Sequence, residues 1–147
     1  MFKMTQKIYN TLKQERNTLK EEGIDLEIFV EDDDSFGVVC LQPKIRDDNS
    51  YVIRFISRDD SNDVAVRVYG LLNIDIAHRI KMLPVINELN EKYRYIKFVL
   101  DEDGDVNLEH DFPTNCPDPS ASAVEIVVRL DSVIDAVRPE LMQALWA

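Results

Sequence analysis

Between residues 24 and 69 the apolar side chains recur at every second position, while on both sides of that span they recur every three to four. A chain whose hydrophobic period changes from helical to extended and back cannot settle as a helical bundle or as an all-strand barrel. It has to lay helices on a sheet, and the length of the extended stretch makes that sheet antiparallel, because short polar turns leave no room for parallel crossovers.

The first helical stretch covers residues 4–22, with Met4, Ile8, Leu12 and Leu19 on one side and Gly23 in the position of a helix-ending glycine. Ile24, Leu26, Ile28 and Val30 then alternate with Asp25, Glu27, Phe29 and Glu31, the pattern of a strand with one wet face. Three more strands are expected at 36–41, 51–57 and 64–69, separated by polar turns at 32–35, 46–49 and 59–63. From Asp75, a capping residue, the helical period resumes with Ile76, Ile80, Leu83, Ile86 and Leu89 as one stripe. Pro84 interrupts it, which predicts a kink or two short pieces meeting near Met82. Strands at 95–100 and 106–110 flank Asp103-Gly104, a hairpin turn. Residues 112–121 read as a proline-rich loop, after which Ser122 and Glu125 form a capping box. The last helix buries Ile126, Val127, Leu130, Val133, Ile134, Val137 and Leu141, with Pro139 expected to bend or restart it before the apolar end Leu141, Met142, Leu145 and Trp146.

The expected architecture is therefore α+β: an antiparallel sheet of about five to six strands and three helices in the order α-ββββ-α-ββ-α. One domain spanning residues 1–147 suits a chain of 147 residues with 45% hydrophobic composition and no evident linker.

The formal net charge of -11 disfavours nucleic acid and anionic membranes as partners. It is unevenly spread, since residues 1–20 carry Lys3, Lys7, Lys13, Arg16 and Lys20 against Glu15 alone. From residue 99 onward eleven carboxylates face only Arg129 and Arg138. The two cysteines, Cys40 in a strand and Cys116 in the loop, have no CxxC spacing, and no apolar leader or membrane-length run is present, so a cytoplasmic location is expected.

No catalytic residue, cofactor site or metal site is assigned. In Asp101-Glu102-Asp103-Gly104-Asp105 the glycine stands fourth and Phe112 twelfth, which does not fit an EF-hand loop, and the run reads as a charged hairpin. His78 and His110 form no ligand pair, and with four glycines there is no nucleophile elbow or phosphate-cradling loop. These absences point away from an enzyme and towards a protein-interaction module. The alternative class is a regulatory domain that binds a small ligand or metal through its Asp-rich turns.

Residues 87–113, NELNEKYRYIKFVLDEDGDVNLEHDFP, carry Asn87, Asn90, Phe98, Asp103, Gly104, Asp111 and Pro113 in a pattern that resembles the YbjN-like family of bacterial sensory transduction regulators. That family's fold is similar to class I type III secretion chaperones, small acidic proteins that form homodimers and hold partner segments. The resemblance implies a homodimeric, chaperone-like or regulatory protein that binds an unidentified protein. Met82, Ile86 and Tyr93, on a second stripe of the middle helix, are the candidate pairing surface.

Overall fold

The computed structural model describes residues 2–32, 37–44, 50–60, 63–113 and 115–147, leaving the expected turns at 33–35 and 46–49, with Phe36, outside the described residues. The first helical stretch forms as α1 (Lys3–Gln14) and α2 (Arg16–Glu21). They divide at Glu15, although its N–H still donates to Thr11 and its carbonyl accepts from Leu19. Gly23 ends α2 with φ 86°, and the amides of Gly23 and Ile24 bond back to Lys20 and Leu19, a motif that needs the left-handed backbone glycine allows.

Four strands follow as a meander: β1 (Leu26–Asp32), β2 (Gly37–Pro43), β3 (Ile53–Ser57) and β4 (Asp63–Asn73). A 3-10 turn (Ile76–His78) leads into α3 (Arg79–Lys92), then β5 (Lys97–Leu100), β6 (Asp105–Glu109) and the two-residue β7 (Phe112–Pro113). The chain closes with α4 (Pro119–Trp146). The fold is α+β as expected: the strands form an antiparallel sheet in the order β1-β2-β3-β4-β6-β5, with β7 also pairing β4.

Two local expectations are corrected, and one is narrowed. Phe112–Pro113, expected in a loop, adds a short pairing to β4, where proline's missing N–H is tolerated beside an edge. The last helix begins earlier than the Ser122 capping box, because Asp118 Oδ1 accepts from the Ala121 amide and Pro119 supplies a preset first-turn φ. It also continues through Pro139, as α3 does through Pro84, so neither proline splits its helix into separate pieces.

The core follows from strand alternation. Val39 and Leu41 on β2, Ile53 and Phe55 on β3, and Val64, Val66 and Val68 on β4 meet Ile8, Leu12 and Leu19 of the first two helices and Ile126, Val127, Leu130 and Ile134 of α4. Two long-range polar contacts hold α4 over the β2–β3 region: Tyr51 donates to the Asp131 carboxylate, and Arg138 donates to the Ser50 carbonyl at 2.9 Å. Lys81 Nζ closes the far end by donating to the carbonyls of Leu145 (3.2 Å) and Ala147 (2.6 Å). A cation there also opposes the negative end of the helix dipole.

Candidate protein-interaction surface

The middle helix holds two stripes of equal helical spacing, and only one can face the core. Ile76, Ile80 and Leu83 make one; Met82, Ile86, Leu89 and Tyr93 make the other. Two polar side chains decide between them. Arg79 Nη1 donates to the Asp101 carbonyl at 2.6 Å and Nη2 to Leu100 at 3.3 Å. Three turns later Asn90 receives the Phe98 amide (2.7 Å) and donates to the Phe98 carbonyl (2.9 Å). Residues eleven apart share a helix side, so both bonds tie the same flank of α3 to β5 and set its roll.

That roll turns Met82 inward to complete burial, buries Ile86 and leaves Tyr93 half-buried against Phe98, so the expected pairing residues lie in or beside the core. The expected core stripe is correspondingly reversed at its first half. Ile76 is 90% exposed, Ile80 85% and Leu83 45%, with the neighbouring Ala77 and Pro84 also exposed. Isolated exposed aliphatic residues are ordinary; a file of three running from the 3-10 turn into α3 is a patch of the kind that marks interaction sites.

Both ends of this ridge are acidic. At the first end Ile76 borders a cavity of about 410 Å³ lined also by Asn73, Asp75, Arg79, Glu102 and Asp103. Arg79 is the cation of that cavity, and its Nη donors are spent on the carbonyls of Leu100, at the end of β5, and Asp101 just beyond it. Asp75 accepts from the His78 amide, and its ring contact holds the carboxyl below the usual range. At the other end the stripe passes into Asn87, Glu88 and Glu91, where Asn87 bonds Glu91 at 3.3 Å. On the far flank of α3 a second apolar patch appears, with Trp146 70% exposed, its ring edge-on to His78, and Met142 beside it on the same helix face.

The other polar clusters have structural work. Asp101 Oδ1 accepts from the amides of Asp103 (3.0 Å) and Asp105 (2.9 Å), and its Oδ2 from Asn107 (3.0 Å), bonds that hold its carboxyl low. The acidic hairpin is thus self-satisfied, and among the described residues no group of three or more His, Cys, Asp or Glu is placed to hold a metal. His110 is buried with Nε2 against Arg129 Nη1 at 2.9 Å and Nδ1 without a partner. Burial, then the Arg129 charge, pushes its pKa down. Arg129 also lies 4.8 Å over the Tyr95 ring and 2.8 Å from Glu125. Cys40 is fully buried, facing Phe29 and Arg54 across its two neighbours, and burial raises its thiol to about 11, which removes it as a nucleophile.

A family model described as "Putative bacterial sensory transduction regulator", YbjN, matches residues 16–139. The chain belongs to the YbjN family. The matched span runs from α2 through most of α4 and includes the whole ridge of α3. Inside it, the YbjN-like residues noted in the sequence gain physical reasons: Asn90 ties α3 to β5, and Gly104 adopts φ 86° against the Ile74 backbone. No curated protein matches the chain, and no solved structure does. No helix among the described residues is long and apolar enough to cross a membrane.

Sequence reasoning missed the ridge because Ile76, Ile80 and Leu83 satisfy the core pattern as well as the stripe that won. The signal available was Pro84, which sits on the exposed side and sacrifices the hydrogen bond to the Ile80 carbonyl, a loss that water can make good only on a wet face.

Proposed function

We propose that this YbjN-family chain is a non-catalytic, cytoplasmic protein-interaction module, regulatory or chaperone-like, built as one domain and acting as a homodimer that binds another protein. The observation that carries the reading is the ridge of Ile76, Ile80 and Leu83, held out to solvent by a helix whose roll is fixed by the bonds of Arg79 and Asn90 along the adjoining flank. The family description of a sensory transduction regulator supports a regulatory role, and the exposed apolar ridge supports the holding of a partner segment. The second patch, Trp146 with Met142, supports self-association, since aromatic and methionine side chains are enriched where protein surfaces meet.

Light scattering at micromolar concentration tests the homodimer: the expected mass is twice the 17.0 kDa of one chain, and Trp146→Asp lowers it to one. A wild-type mass of 17.0 kDa at all concentrations removes the homodimer from the reading. Affinity purification from the source cell, read by mass spectrometry, is expected to recover a stoichiometric protein partner; recovery of the chain alone removes the partner.

A further inference from the structure

We propose that the α3 ridge is the docking site for an amphipathic helix of a partner protein, one that presents an apolar stripe with lysine or arginine at both ends. The proposal rests on the interaction-module reading above and names the partner's chemistry. The apolar part follows from exposure: Ile76 in the 3-10 turn leads into Ile80 and Leu83, one turn apart on α3, a row that a partner's own aliphatic residues at one-turn spacing can straddle.

The basic part follows from what brackets that line. Asp75, Glu102 and Asp103 stand at its start, around the 410 Å³ cavity that Ile76 borders, and Glu88 and Glu91 stand at its end. Asp75's contact with His78 aside, none of these carboxylates has an ion-pair partner among the described residues. The nearby cations are turned elsewhere: Arg79 to the Leu100 and Asp101 carbonyls, Lys81 to the end of α4, and Lys92 over the Tyr93 ring. An incoming helix therefore meets an apolar centre and two negative ends. A second copy of this chain, with its own acid brackets and a net charge of -11, matches those ends poorly. An anionic membrane is repelled for the same reason.

Two synthetic helical peptides with one leucine stripe, one bearing lysine and the other glutamate at the flanking positions, make the test. Binding to the full-length protein is followed by fluorescence anisotropy. The lysine peptide is expected to bind about tenfold or more tightly than the glutamate peptide. Glu102→Gln with Asp103→Asn is expected to narrow that gap and weaken the salt dependence. Ile80→Asp separates docking from nonspecific attraction, because it makes the surface more acidic while spoiling the apolar row. It is expected to weaken lysine-peptide binding by about tenfold, with the thermal midpoint unchanged to show that the exposed site tolerates it. Equal binding of the two peptides, or undiminished binding by Ile80→Asp, overturns the proposal. So does a wild-type dimer that Ile80→Asp splits, since the ridge then belongs to a second copy; that outcome leaves the interaction-module reading standing. The latter falls only if wild-type protein shows neither self-association nor a captured partner.

Discussion

At Gly104 the backbone has φ 86°, and a Cβ there lies 2.2 Å from the Ile74 carbonyl oxygen, while Ile74's own amide donates to Gly104 at 2.7 Å. The β5–β6 turn is thus pressed against the end of β4, and neither backbone can retreat without losing that bond. Gly104→Ala is expected to cost roughly 3 kcal/mol, read as a lower urea midpoint with an unchanged slope. The sequence marked this glycine as a hairpin turn; its closeness to Ile74, thirty residues away, has no local signature. His110 gives a second residue-scale expectation. Its neutral ring accepts from Arg129, and its pKa lies below the ordinary value of about 6.5. The unfolded chain then takes up the proton more readily than the folded one, so this contribution is complete above about pH 6.5 and is lost as pH falls through the folded value. Arg129 opposes protonation and Asp111 favours it, with burial the larger effect. Urea midpoints taken from about pH 7.5 down to pH 5 should fall, and His110→Gln should flatten that slope.

At the scale of elements, α3 shows where legibility stopped. Its existence, its Asp75 start and the hairpin after it follow from periodicity and turn chemistry, yet its roll is set by Arg79 and Asn90 reaching β5. Those are side-chain bonds to backbone carbonyls and an amide, which a hydrophobic pattern does not encode. β4 carries a similar lesson: its register with β6 slips between Val68 and Leu72, around Gly70 at φ 65°, lengthening it beyond the expected residue 69 to Asn73. By contrast, all seven residues expected to be buried along α4 are buried, because a two-turn repeat over so long a helix has no competing stripe. Pro84 makes an element-scale test. Pro84→Ala restores an amide to bond the Ile80 carbonyl, and removing an interior proline is expected to stabilise the protein by about 1–2 kcal/mol, after allowing for a freer unfolded chain. Thermal unfolding measures it, and an unchanged or lower midpoint contradicts the proline's assigned cost.

For the whole molecule, the net charge of -11 predicts two salt dependences of opposite sign. Like-charged copies approach more readily when screened, so the dimer should tighten between about 0.02 and 0.5 M salt. A basic partner helix should loosen over the same range. Light scattering and anisotropy on one preparation check both, and matching signs contradict the charge argument. The strand order has its own consequence, in time. β1 to β4 pair with sequence neighbours and can zip as the chain is made, whereas the joining of β4 to β6 must wait for α3 and the β5–β6 hairpin. α4 comes last, and it supplies Ile126, Val127, Leu130 and Ile134 to the cover over β4 and its neighbours. Until the ribosome has released residues 119–146, the valines of β4 lack that part of their cover, so the nascent chain passes through a stage in which its sheet is complete and its apolar face is covered only by the earlier helices.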